Sequence, residues 1–231
     1  MNYSPSNRAV RLVVINAGVS DPSSTRLLAD RLAQKSIEEF EAAGREVSLT
    51  AIDLAPLAGD IARAMVAGFP GDTLAAAFET LAGADAVIAA APVYKAGLSG
   101  LFKSFVDLMD NDLLLARPMI LAATAGSGRH AMVLDDQMRP LFAFMRAMPV
   151  PTAVFAAPED WSAPELGRRI TRAAKELGAF VASGVGRTIA GEGWDHYQHQ
   201  FGSSAARTEQ GNETVDLDTD LMRLATGGAA R

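Results

Sequence analysis

Five short runs of branched or small apolar residues alternate with stretches of helical periodicity, and no other feature constrains the fold as much. The runs are Val10–Ile15, Val47–Ile52, Ala86–Ala91, Pro118–Ala123 and Thr152–Ala156. Short, nearly continuous apolar runs read as strands covered on both faces. Between the first two, Thr25–Ala43 spaces Leu27, Leu28, Leu32, Ile37 and Phe40 as a helix does. Ser23 or Ser24 is its natural N-cap and Gly44 its stop. Asp53–Gly71 is broken by Pro56, Gly59, Gly68, Pro70 and Gly71, and predicts an excursion holding one short helix, Ile61–Ala67. Helices are expected over Thr73–Leu81, Leu98–Met109, Met132–Met148 (bent at Pro140) and Ala163–Val181. The third strand is expected to end at Pro92. Strands alternating with helices imply a parallel sheet with right-handed crossovers. Five such units fit a doubly wound α/β sheet of strand order 2-1-3-4-5.

The 231 residues divide into an α/β domain, 8–184, and a C-terminal arm, 185–231. The arm carries Trp194, His196, Tyr197, His199 and Phe201, then a polar tract and a short amphipathic stretch, Val215–Leu224. It reads as an interface element or a partly disordered tail. The formal net charge of -6 disfavours nucleic acid and anionic membrane as partners. The chain has no cysteine, which excludes disulfides, thiolate nucleophiles and cysteine-bound metal. Residues 1–9 are polar, and Asp85, Pro92, Arg117 and Gly126 interrupt the apolar runs. A cytoplasmic protein without a membrane span is the expectation.

In a doubly wound sheet, ligands bind beyond the carboxyl ends of the strands, where strand order reverses. Three loops belong there. The first, Asn16–Thr25, brings Ser20, Ser23, Ser24 and Thr25 before a helix N-terminus, whose unpaired N–H groups suit a phosphate. It lacks the Gly-Lys-Ser/Thr ending of a nucleoside-triphosphate loop and the G-x-G-x-x-G of a dinucleotide fold. Hydroxyls without a lysine suit a flavin monophosphate; helix capping alone also accounts for these residue types. The second loop, Ala91–Gly100, contains Pro92, Val93, Tyr94 and Lys95, with Tyr94 able to edge a flat ring. A plain turn is its alternative reading. The third, Thr124–His130, has small residues at Thr124, Gly126 and Ser127 that permit close approach, while Arg129 reads as a solvated charge. His196 and His199 with Asp195 or Glu192 are a remote metal candidate, and an aromatic arm is the preferred reading.

Pro92-Val93-Tyr94-Lys95-Ala96, followed by Ser99-Gly100-Leu101 with Lys103 and Asp107, resembles the flavin-ring segment of NAD(P)H-dependent FMN reductases. Thr124-Ala125-Gly126 with His130 and Arg139-Pro140-Leu141 resembles their next segment, and Ser23-Ser24-Thr25-Arg26 their phosphate loop. The match spans residues 10 to 183. It is most similar to the branch that supplies reduced flavin to alkanesulfonate-type and luciferase-like monooxygenases. The resemblance implies a flavodoxin-like fold, FMN with NADPH or NADH, and hydride transfer with no catalytic side chain. Ser20, Ser23, Ser24 and Thr25 would hold the phosphate, Pro92, Val93, Tyr94 and Lys95 the ring, and Thr124, Gly126 and Ser127 its other edge. It further implies a homodimer or homotetramer. Two departures stand out: Ser20 replaces an arginine common in the family's phosphate loop, and Leu134–Met138 lacks an aromatic tied to tetramer formation. The first implies loose FMN. The alternatives are a flavodoxin-type electron carrier, a quinone, azo or metal-oxyanion reductase, and a hydrolase or nucleotide-binding module on the same fold.

Overall fold

In the computed structural model, which describes residues 8–192, four strands lie in one parallel layer and a fifth, broken strand closes its edge. β1 (Val10–Asn16) is central between β2 (Val47–Asp53) and β3 (Ala86–Tyr94). β5 (Pro118–Thr124) flanks β3. The edge position beyond β5 is shared by β6 (Met148–Pro149) and β7 (Val154–Ala156). In strand-by-strand terms this is the expected 2-1-3-4-5 order, with the last strand in two pieces. A two-residue β4 (Gly97–Leu98) folds back antiparallel on β3.

Strand side chains alternate between two cores, as the period of two requires. Val13, Ile15, Val87, Ala89, Leu121 and Ala123 face α2 (Leu54–Ala67), α3 (Asp72–Ala82), α4 (Gly100–Asp107) and α5 (Arg139–Phe144). Leu12, Val14, Ile88, Ala90, Ile120 and Ala122 face α1 (Ser24–Ala42) and α6 (Pro164–Ser183). Phe102 and Phe142 meet edge to face at 6.2 Å in the first core. Alanines dominate the ends of β3 and β5, so the helices can sit close to the sheet there. A last helix, α7 (Val185–Glu192), packs Gly186 against the Ala116 carbonyl, where a Cβ would stand at 2.3 Å.

Four expectations are corrected. The 53–71 excursion is one continuous helix, α2. Pro56 falls in its first turn, where the backbone N–H has no intrahelical acceptor to lose, and Gly68 (φ 80°) is the real stop. The third strand does not end at Pro92 but runs on to Tyr94. The stretch expected as one bent helix, Met132–Met148, is a π turn at Leu134–Met138 followed by the short α5. Pro140 has no N–H for the Asp136 carbonyl, and Arg139 N–H instead reaches the Leu134 carbonyl five residues back. Last, Met148, expected to end that helix, instead begins the strand segment Met148–Pro149. Residues 193–231, with Trp194, His196, Tyr197, His199, Phe201 and the 215–224 stretch, lie outside the described residues.

Candidate active site

Three loops leave one edge of the sheet side by side. Asn16 ends β1, Ala17 N–H donates to the Ala90 carbonyl at 2.9 Å, and Pro92 pairs in register with Thr124. Polar Asn16 is buried with both ends of its amide bonded: Nδ2 donates to Asp53 Oδ1 at 2.9 Å, and Oδ1 accepts the Gly18 N–H at 3.1 Å. Gly18 is dictated by crowding. A Cβ there would lie 2.1 Å from Ser23 Oγ and 3.2 Å from Thr25 Cβ, so the loop doubles back tightly on the start of α1.

Ser23 caps α1, its Oγ accepting the Arg26 N–H at 3.2 Å. The N–H groups of Ser24 and Thr25, in the first turn, have no intrahelical acceptor and sit at the positive end of the helix dipole. Ser20 and Ser24 are exposed and Ser23 is half-buried. Thr25 is buried, with its hydroxyl 2.7 Å from that of Thr124, which is buried too. One hydroxyl donates to the other, so one O–H proton of the pair is left for a further acceptor. The pair fastens the first loop to the third.

Arg26, also in the first turn, is already spoken for. Its Nε donates to Asp30 Oδ1 at 2.7 Å, and its Nη1 donates to both oxygens of Asp53 at 2.8 and 2.9 Å. The Asp30 hydrogen bond, with Asp53 adding to it, holds the Arg26 guanidinium above its ordinary pKa. The guanidinium is therefore matched by carboxylates before any anion arrives.

The second loop is a hairpin. Pro92 and Val93 are buried, while Tyr94 and Lys95 are exposed. The turn residues Lys95 (φ 51°) and Ala96 (φ 64°) are both left-handed, as a two-residue hairpin turn of primed type demands. The ladder survives Pro92 because its carbonyl still accepts the Ser99 N–H, at 3.0 Å. Ser99 then caps α4 through Phe102 N–H at 3.3 Å. In the third loop Gly126 is exposed with open space around it, and Ser127 is half-buried. Gly128 N–H donates to Glu159 Oε1 at 3.2 Å, and Arg129 Nε to His130 Nε2 at 3.2 Å.

All eleven expected site residues thus fall on these three neighbouring loops. Reasoning from sequence missed Gly18, Asn16, Asp53 and Gln137. Asn16 and Asp53 had a readable signal, since each is a polar residue closing an apolar strand. Gln137, described below, had none. Among the described residues, no group of His, Asp and Glu is placed to hold a metal ion. The His196 and His199 candidate lies outside them. No described helix is long and apolar enough to cross a membrane. A shallow groove along α1 and α6, lined by Glu39, Phe40, Lys175 and Gly178, lies toward the far end of α1, roughly 25 Å from its capped start.

This doubly wound sheet, with its loops gathered at the carboxyl ends of the strands, defines a flavodoxin-like α/β protein. A solved oxidoreductase from Corynebacterium diphtheriae superposes with a TM-score of 0.74 at 42% identity, covering 76% of this chain and 98% of that one. Residues 10–162 match the family described as NADPH-dependent FMN reductase. The FMN reductase (NADPH) of Pseudomonas aeruginosa is 36% identical over 151 residues, covering 65% of this chain and 78% of its own. The NADH-dependent FMN reductase SfnF of Pseudomonas fluorescens is 36% identical over 160 residues, covering 68% and 81%. The chain belongs to the NADPH-dependent FMN reductase family. It is an NAD(P)H:FMN oxidoreductase, with FMN and a nicotinamide dinucleotide as its cofactors.

Proposed function

We propose that the three-loop edge is the flavin site, and that the enzyme takes FMN as a substrate and lets it go reduced. Bound FMN supplies the acceptor for hydride from the nicotinamide. The protein's part is to bind, orient and exclude water. The Ser24 and Thr25 N–H groups with the Ser20, Ser23 and Ser24 hydroxyls hold the phosphate, and Thr25 does so through the proton its pair with Thr124 leaves over. Pro92, Val93, Tyr94 and Lys95 line the ring, while Thr124, Gly126 and Ser127 border its far edge. The residues fit the group: donors converge at a helix start without a lysine, and glycine or small residues flank them. Hydride transfer to the flavin requires no side-chain acid or base.

One observation carries the release half of this reading. Arg26 is paired with Asp30 and Asp53, so its charge is balanced before the phosphate arrives and adds less to anion binding than an unpaired arginine would. The expected behaviour is a protein that loses colour on dialysis and oxidises NADPH or NADH only when FMN is added. Flavin retained through dialysis, with no turnover of added FMN, would favour the electron-carrier alternative. Comparing NADH with NADPH at fixed FMN sets the nicotinamide preference, and relatives of both kinds exist by name.

The reading extends to a cytoplasmic homodimer or homotetramer that hands reduced flavin to a two-component monooxygenase. Its reductase domain would be residues 8–184 and its arm, 185–231, an interface element. Met65, Val66 and Phe69, exposed together at the end of α2, support self-association. Removing residues 193–231 is expected to lower the number of protomers per particle found by light scattering; an unchanged number would remove the arm from the interface.

A further inference from the structure

Among the described residues, one side chain bonds the outer edge of β4. In this hairpin Tyr94 and Gly97 close the turn, so the Leu98 N–H points away from β3 and toward open space. Gln137 fills that space. Its Nε2 donates to the Ala96 carbonyl and its Oε1 accepts the Leu98 N–H, each at 3.2 Å. One amide thus does for β4 what a neighbouring strand would do. A Cβ on Gly97 would stand 3.3 Å from Oε1, so the amide lies close over that glycine. The turn it grips places Lys95 and Ala96 in the left-handed region, which neither residue favours. Gln137 is carried by the π turn Leu134–Met138, and Pro140 keeps that turn wide by withholding the N–H an α ladder needs.

We infer that Gln137 is a positioning residue for flavin binding: its amide holds the Lys95–Ala96 turn, and with it Tyr94 and Lys95, in the form that receives the ring. This rests on the hairpin being the flavin-ring loop. The full-length protein carrying Q137M or Q137E tests it. Methionine keeps the length and loses both bonds. Glutamate keeps an acceptor for the Leu98 N–H but turns a carboxylate oxygen on the Ala96 carbonyl. Hydrogen exchange over residues 94–98, with and without FMN, is read beside the FMN Kd from flavin fluorescence and the kinetic constants. FMN is expected to slow exchange at 94–98 in the unsubstituted protein. Q137M is expected to speed that exchange and raise both the Kd and KM for FMN about tenfold, with kcat nearly unchanged. Q137E moves the same quantities in the same direction and stands in should Q137M not fold. If FMN protects 94–98 but both variants bind it as before, or lose kcat with KM constant, the inference fails and the site reading survives. If FMN does not protect 94–98, the site reading fails and takes the inference with it.

Discussion

At the scale of single residues, the loop after β1 is set by contacts too short to tolerate substitution. Gly18→Ala would put a methyl 2.1 Å from Ser23 Oγ, so the N-cap hydroxyl must leave its bond to Arg26. We expect FMN affinity to fall at least about tenfold, read by flavin fluorescence quenching, with about 1 kcal/mol lost from the cap. Affinity equal to that of the unsubstituted protein would mean the phosphate does not use this helix start. Thr124→Val leaves Thr25 Oγ1 buried without its partner and is expected to cost about 1–3 kcal/mol in urea unfolding, at unchanged m-value. Thr25→Val with Thr124→Val should recover part of that loss, because an apolar pair of the same shape leaves no orphaned hydroxyl. If the double variant is as unstable as the sum of the two, the bond is not what couples the loops. The serines and threonines were legible as a phosphate loop. That Thr25 and Thr124, 99 positions apart in sequence, share a hydrogen bond was not, because no local pattern records a cross-loop partner.

At the scale of elements, periodicity found most strands and helices, and turn chemistry accounts for the misses. Pro56 and Gly59 look like breakers in a linear reading, yet a proline in the first turn of α2 costs no hydrogen bond. Pro140 was rightly read as a disturbance, but its effect is a π turn and not a bend, since the lost N–H is compensated by a five-residue closure. The Lys95–Ala96 turn carries none of the Asn-Gly signature that hairpins usually show, so the hairpin could not be foreseen. Ser99 ties this hairpin to α4, with its N–H on Pro92 and its Oγ on Phe102 N–H. Ser99→Ala is expected to destabilise the protein by about 1 kcal/mol while leaving the Pro92 contact, which is made by backbone. A thermal midpoint identical to that of the parent would show that α4 holds by packing alone.

At the scale of the molecule, the sheet separates two kinds of polar chemistry. The carboxyl ends carry the loops. The amino ends carry a carboxylate surrounded by arginines: Arg8 pairs with both oxygens of Asp85 at 2.6 and 2.8 Å, and the Arg11 N–H adds a bond at 2.9 Å. Arg117, its pKa lowered by burial, feels the same carboxylate from the position just before β5. Asp85→Asn removes the carboxylate that reconciles these cations and is expected to cost about 1–3 kcal/mol without changing FMN affinity. A loss of affinity in a fully folded D85N protein would show that the two edges communicate. Strand order was legible in the sequence because each apolar run met a helix of the right length. The break in the last strand was hidden because Pro149 and Pro151 look like the plain end of a helix and not like a strand segment. That break has a consequence for how the molecule meets its own kind. Backbone on this border is interrupted by Pro149 and Pro151, and Arg139 occupies the carbonyls of Val150 and Pro151. A strand arriving from another molecule finds no regular row of partners there. On the opposite border, among the described residues, β2 offers seven unbroken residues with Leu49 half in solvent. Among the described residues, runaway strand-to-strand growth, if storage or heat ever provokes it, has that border from which to start.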